Sequence, residues 1–167
     1  FGAQKPTVCI VEIMGRNAGW LTAAAALAKG PDCSGCDAIY LPEKVFDVDA
    51  FVAKVKELAK TKTSVVIAVS EGVHIADGRY VCELANENVA VDAFGHKQMS
   101  GTAAYLAQVV AGETGLKTRA VEFSTLQRAA THLASLTDIN EAFQVGADAV
   151  KAAEEGKTGM MITLDRH

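Results

Sequence analysis

Residues 7–20 read TVCIVEIMGRNAGW. The first seven, TVCIVEI, are almost continuously apolar, the pattern of a parallel strand covered on both faces. The chain turns at Gly15 and continues over residues 17–29 as NAGWLTAAAALAK, alanine-rich and helical, until Gly30 and Pro31 stop it. Strand, glycine turn and helix together open a βα unit. The same stretch sets Glu12 and Arg16 at the point where a core strand becomes a helix.

The alternation continues outward. Residues 37–41 (DAIYL) read as a second strand ended by Pro42, and 47–60 as an amphipathic helix with Asp in its first turn. Residues 64–69 (SVVIAV) form a third buried strand, followed by Ser70, Glu71 and Gly72. Regularity fails over 73–97, with one helical turn expected near 81–86. A helix follows at 100–111, then a strand at 118–123 (TRAVEF) and a helix at 124–135. Thr137 opens a further helix that runs to about Glu155 and closes at Gly156, and 159–164 (GMMITL) reads as a last strand. No internal repeat interrupts this order. It predicts an α/β fold, a Rossmann-like, mostly parallel sheet with helices on both faces, as a single domain over residues 1–167.

Composition narrows the function classes. The 167 residues are half hydrophobic and 22% charged, which suits a soluble globular domain with a real core. A net charge of −4 argues against nucleic acid or an anionic membrane as partner. No apolar run is long enough to span a bilayer, and no secretory signal is visible. The chain opens on Phe1 rather than Met, the expectation of a piece of something larger. Cys33 and Cys36 make a C-x-x-C, but it sits in a Pro/Gly-containing loop before a strand and has no second pair to complete a zinc site, so it reads as loop packing. Free thiols suit a cytoplasmic protein. His74, His96, His132 and His167 share no metal-ligand spacing, and His132, one helical turn after Arg128, reads as structural. Gly15 and Gly19 do not form a dinucleotide fingerprint.

In a parallel α/β sheet, ligands bind beyond the carboxyl ends of the strands. The first strand end carries Met14, Gly15 and Arg16. The third carries Glu71 and Gly72, and the fourth Ser124 and Thr125 with Gln127 and Arg128 in the next turn; the second, Pro42-Glu43, holds one charge. Gly15 permits close approach of a ligand to the backbone, the next helix offers free amides, and Arg16 offers a planar cationic fork. Glu71 at a neighbouring strand end is suited to accept hydrogen bonds from hydroxyls, and Arg119 and Arg128 add cationic capacity. Anion and hydroxyl acceptors together suit a phosphorylated polyol. Glu12 reads as satisfying a neighbouring polar group, with no catalytic role.

With those residues in view, the chain resembles the carboxyl-terminal, sugar-phosphate half of the 6-phosphofructokinase family. VEIMGR followed by GWLTAAAALA, the strand-end Ser70-Glu71-Gly72, the run from Glu113-Thr114-Gly115 to Arg119, and Leu126-Gln127-Arg128 are similar to that family's motifs in order and spacing. Residues 92–98 (DAFGHKQ) and the run QRAATHLASLTDINEAFQVG look most like its pyrophosphate-dependent branch. The resemblance implies that Met14 and Gly15 contact fructose 6-phosphate and that Arg16 stabilises charge on the transferred phosphoryl group. It also implies that Glu71 binds a sugar hydroxyl and Arg128 the 6-phosphate, with Arg119 acting in a neighbouring subunit of a homo-oligomer, a dimer or tetramer. Thr125 stands three residues before Arg128, where the family often has His or Tyr, and Thr7 stands where ATP-dependent members often place an arginine.

The family's T-I-D-N-D catalytic segment and its G-G-D-D donor segment do not occur in these residues. The resemblance therefore implies that the base, the Mg2+ ligands and the pyrophosphate or ATP site belong to a missing half, and that this chain alone transfers no phosphoryl group. A stand-alone sugar-phosphate regulatory module is the alternative reading. A thiol-redox protein using Cys33 and Cys36 is a third.

Overall fold

The computed structural model describes residues 5–85 and 101–165. The DAFGHKQ run with His96, and the terminal His167, lie outside the described residues. The chain divides into two compact units, 1–127 and 128–167.

The first unit holds four strands, β1 (Thr7–Ile13), β2 (Ala38–Tyr40), β3 (Ser64–Ser70) and β4 (Lys117–Glu122), in the order β2-β3-β1-β4 with every pairing parallel. β1 is central, in register with β3 from Thr7↔Ser64 to Ile13↔Ser70 and with β4 from Thr7↔Lys117 to Glu122. A strand with neighbours on both sides and cover on both faces must be apolar along its length, which accounts for TVCIVEI.

The two faces of β1 carry different cover. Val8 and Ile10 point into the main core, together with Val65, Ile67 and Val69 of β3. This core is closed by α2 (Val48–Leu58), through Phe51, Val52 and Val55, and by α3 (Thr102–Thr114), through Ala103, Leu106 and Val110. Phe46, Phe51 and Tyr40 interlock edge-on or tilted at 5.2–5.4 Å between centroids. Asp47 caps α2 by accepting from the Ala50 amide at 2.9 Å, which is why that helix starts where its amphipathic pattern starts. On the opposite face lie the short α1 (Trp20–Ala24) and a 3-10 turn, Ala25–Ala28. Helices therefore cover both faces of a parallel sheet, as the alternation of the sequence requires.

Two adjacent strands send the chain to opposite faces: β1 leads to α1, while β3 leads through a 3-10 turn at Val81–Leu84 towards α3. Divergence of this kind opens a crevice at the carboxyl ends of the two strands.

The sequence reading fails at three places: the helix expected over 17–29 is only the five-residue α1 and the 3-10 turn after it. The helix expected over 124–135 is a single turn, α4 (Thr125–Arg128), and a 3-10 turn at Thr131–Leu133. Ala130 adopts ψ 57° and Ala134 is extended, and none of these residues buries a face that would hold a longer helix. The strand expected over 159–164 does not form: Met160 and Met161 are 75% and 83% exposed, and an extended run becomes a strand only where it finds a ladder partner. The second unit's main element is α5 (Leu136–Glu154), capped by Ser135, whose hydroxyl accepts from the Asp138 amide at 3.0 Å. None of the described helices is long and apolar enough to cross a membrane.

Among the described residues, Phe51 is the largest fully buried side chain of the core, joining α2 to the sheet. Phe51→Ala is expected to lower the unfolding free energy by about 3–5 kcal/mol, read by urea denaturation.

Candidate functional site

The ends of β1 and β3 converge on one turn. Past Ile13 the chain enters Met14, then Gly15 at φ 149°, a conformation that side-chain-bearing residues avoid. A Cβ at Gly15 would also lie 2.6 Å from the Ala18 carbonyl oxygen. Several backbone groups of this turn are tied from elsewhere. Gln127 Oε1 accepts from the Met14 amide at 2.9 Å, and Glu71 Oε1 accepts from the Gly15 amide at 3.1 Å. The buried Ser70 hydroxyl donates to the Gly15 carbonyl at 2.6 Å and accepts from the Gly72 amide at 3.2 Å. Glu43, beyond β2, accepts from the Gly19 amide at 2.6 Å, just ahead of α1. The main chain of Arg16 runs so close to Gly72 that a Cβ there would fall 1.8 Å from the Arg16 carbonyl oxygen.

Met14, Gly15, Arg16 and Glu71 are thus brought together in the crevice between β1 and β3. The other candidates are placed differently. Arg119 lies on the edge strand β4, paired with Cys9 three residues short of the Glu12–Glu122 level, and is exposed. Thr125 is the exposed first residue of α4, and Arg128, also exposed, begins the second unit. His74 serves the fold through its backbone, its carbonyl accepting from the Phe46 amide at 2.7 Å. Cys33 is exposed in its loop and accepts from the Gly35 amide, while burial, then Asp37 and neighbouring thiols, push the Cys36 thiol above its ordinary range. A raised thiol is a poor nucleophile, which agrees with loop packing.

A hollow of about 390 Å3 is a different feature. It is an apolar groove on the α1 face, lined by Val11, Ile13, Leu21, Ala25 and Phe123 with Gln127 as its polar member. It offers nothing to a phosphate.

Residues 3–153 match the phosphofructokinase family. The chain belongs to that family. It is 42% identical over 160 residues to the pyrophosphate–fructose 6-phosphate 1-phosphotransferase of Xanthomonas campestris pv. campestris, covering 95% of this chain and 37% of that protein. It is 42% identical over 165 residues to the enzyme of the same name from Rhodospirillum rubrum, covering 96% and 41%. Among solved structures, the pyrophosphate-dependent phosphofructokinase of Nitrosospira multiformis superposes with a TM-score of 0.66 at 34% identity, over 98% of this chain and 36% of that one. The chain spans about two fifths of the length of these phosphofructokinases.

For this member of the phosphofructokinase family, the structure adds roles that the sequence did not assign. Gln127 and Glu43 hold the turn and the start of α1, although the sequence at Pro42-Glu43 showed only a lone charge. Ser70 and Gly72 sit in the motif quoted from the sequence, but only their strand-end position hints at their tasks. Glu12 satisfies a buried polar group, as its place inside a core strand suggested: Oε2 accepts from the Ala103 amide at 2.8 Å. It is 5% exposed. Burial pushes its carboxyl up from the ordinary 4.5 to about 7; the Ala103 amide pulls the other way, and Glu122 and Glu71 add to the rise.

Two expected outcomes follow from this packing. Gly72→Ala forces the Arg16 main chain away and is expected to cost at least about 2–3 kcal/mol by denaturant titration. Because the native carboxyl of Glu12 holds its proton more tightly than the unfolded one, its contribution to stability is complete below about pH 4.5 and is lost as pH rises through about 7. Glu12→Gln removes that loss, so relative to the wild type the variant should gain on the order of 3 kcal/mol between about pH 4.5 and about pH 8, measured by urea unfolding across the range.

Proposed function

We propose that this chain is the fructose 6-phosphate-binding part of a pyrophosphate-dependent phosphofructokinase, a cytoplasmic enzyme of glycolysis. One observation carries the reading: the Met14–Gly15–Arg16 turn is clamped by Glu71 in the crevice between β1 and β3, in a chain similar to pyrophosphate–fructose 6-phosphate 1-phosphotransferases. The names of those relatives favour pyrophosphate over ATP as donor.

In this reading the 1-hydroxyl oxygen of the sugar attacks one phosphorus of pyrophosphate. The bond to the leaving phosphate breaks, and inorganic phosphate departs. The hydroxyl proton goes to a base outside these 167 residues. Arg16 lies at the strand end, where its guanidinium stabilises the charge spread over the phosphoryl oxygens. Gly15 lets the sugar approach the backbone, with Met14 beside it. Glu71 uses Oε1 on the Gly15 amide and has Oε2 to accept from a sugar hydroxyl. The family resemblance assigns the 6-phosphate to Arg128 and Thr125, with Arg119 acting in the site of a neighbouring subunit of a dimer or tetramer. An exposed arginine on an edge strand suits that last assignment.

Magnesium would screen the charge on the pyrophosphate. The family resemblance assigns its ligands to the missing half; among the described residues no three His, Cys, Asp or Glu side chains gather in one place.

Calorimetric titration of the chain with fructose 6-phosphate tests the reading. Saturable binding is expected, weakened at least about tenfold in Arg128→Ala through loss of a charge-assisted phosphate contact. No turnover is expected from this chain alone with fructose 6-phosphate, pyrophosphate and magnesium. Binding that is unaffected by Arg128→Ala, or turnover by the chain alone, would sink the assignment.

A further inference from the structure

Among the described residues, Glu12 is the only charged residue that is buried as a whole, and the phosphoryl-transfer reading leaves it without a task. It lies on the central strand, one residue before the strand ends, and reaches the first turn of α3. That helix starts at Gly101, whose φ is 97° and which has no side chain to cap with. Glu12 supplies the missing acceptor from another element, taking the Ala103 amide at 2.8 Å.

The next contact runs onward to the site. Thr102 is fully buried, and its hydroxyl donates to the main-chain carbonyl of Glu71 at 3.3 Å. The Glu71 amide donates to the Ile13 carbonyl at 3.0 Å, and the Glu71 carboxylate holds the Gly15 amide. The start of α3 is therefore fastened on one side to β1 and on the other to the residue that clamps the turn. The circuit closes three residues from where it began. We propose that Glu12 is a positioning residue for the Met14–Gly15–Arg16 turn, acting through the first turn of α3 and the main chain of Glu71. Its consequence for ligand binding rests on the sugar-phosphate reading above.

The charge state of Glu12 sets how tightly the circuit is held. An ionised carboxylate makes a shorter, stronger bond to an amide than a neutral acid does, and the start of an eight-residue or longer helix favours negative charge. The titratable groups that bear on it among the described residues are Glu122 from β4, Glu71 beyond β3 and the Cys82 thiol of the 3-10 turn. The positive end of α3 faces it from the fourth side. Its midpoint of about 7 puts the change within reach of neutral pH.

Amide resonances of the 15N-labelled chain, followed from about pH 5.5 to about pH 8.5, test the coupling without any ligand. Ala103, Glu71 and Gly15 are expected to shift with one shared midpoint in the wild type and to stay flat in Glu12→Gln, which keeps an acceptor oxygen. Thr102→Val removes the link to Glu71 at nearly constant volume. It should leave the Ala103 titration in place and abolish that of Gly15. A Gly15 titration that persists in Thr102→Val, or that is missing from the wild type, overturns the proposal.

The functional consequence has its own readout. The ratio of fructose 6-phosphate Kd in Glu12→Gln to that in the wild type should rise from about 1 at the acid end to about 5 at the alkaline end. A ratio that stays flat while both proteins bind overturns the link to the site. The amide titration decides the coupling even if the sugar phosphate does not bind, so the two readings stand or fall separately.

Discussion

The seven-residue register between β1 and β3 is the constraint on which the site depends. With Ile13 opposite Ser70, the residues just past each strand end are neighbours: Met14, Gly15 and Arg16 on one side, Glu71 and Gly72 on the other. A slip of one residue would turn every side chain of a strand to the other face, putting the core valines of β3 among the residues beneath α1. The apolar core therefore does more than stabilise the sheet. By fixing which residues of β3 face α2 and α3, it fixes which residues leave the strand beside Gly15.

The crevice at those ends is crowded with polar backbone, and several of its groups are answered individually. Ser70 bridges Gly15 and Gly72, Glu71 takes the Gly15 amide, and Gln127 the Met14 amide. An unanswered polar group at this depth would cost about 1–3 kcal/mol, so the turn has little freedom to relax. Rigidity here suits the proposed sugar-phosphate site, because phosphoryl transfer depends mainly on placement and charge stabilisation. Gly72 contributes by absence: with no side chain, it lets the Arg16 main chain lie against the end of β3.

Buried acid is the least expected part of this arrangement. Glu12 keeps a carboxyl beside a core built mainly from valine, isoleucine, leucine and phenylalanine, and its bond to Ala103 joins the central strand to a helix ninety-one residues further along the chain. A hydrophobic residue would fill the same space without desolvating a charge, but it would leave the start of α3 without its acceptor.

How much of this was legible in the sequence follows from the range of each interaction. Unbroken apolar runs identified β1 and β3 as covered strands, and the glycine after β1 marked the turn, because burial on both faces and backbone freedom are written locally. The motif at residues 70–72 was visible for the same reason. The single turn at Thr125–Arg128 and the lack of a strand at 159–164 were not, since alanine-rich and apolar segments carry their pattern whether or not a partner exists to pack against. The ties of Gly19 to Glu43, Met14 to Gln127 and Ala103 to Glu12 span 24, 113 and 91 residues. By itself the sequence determined a parallel α/β sheet with polar residues at its strand ends. Only the tertiary structure decided which ends are neighbours, because strand order and register are set by the whole sheet and its core rather than by any one segment's periodicity.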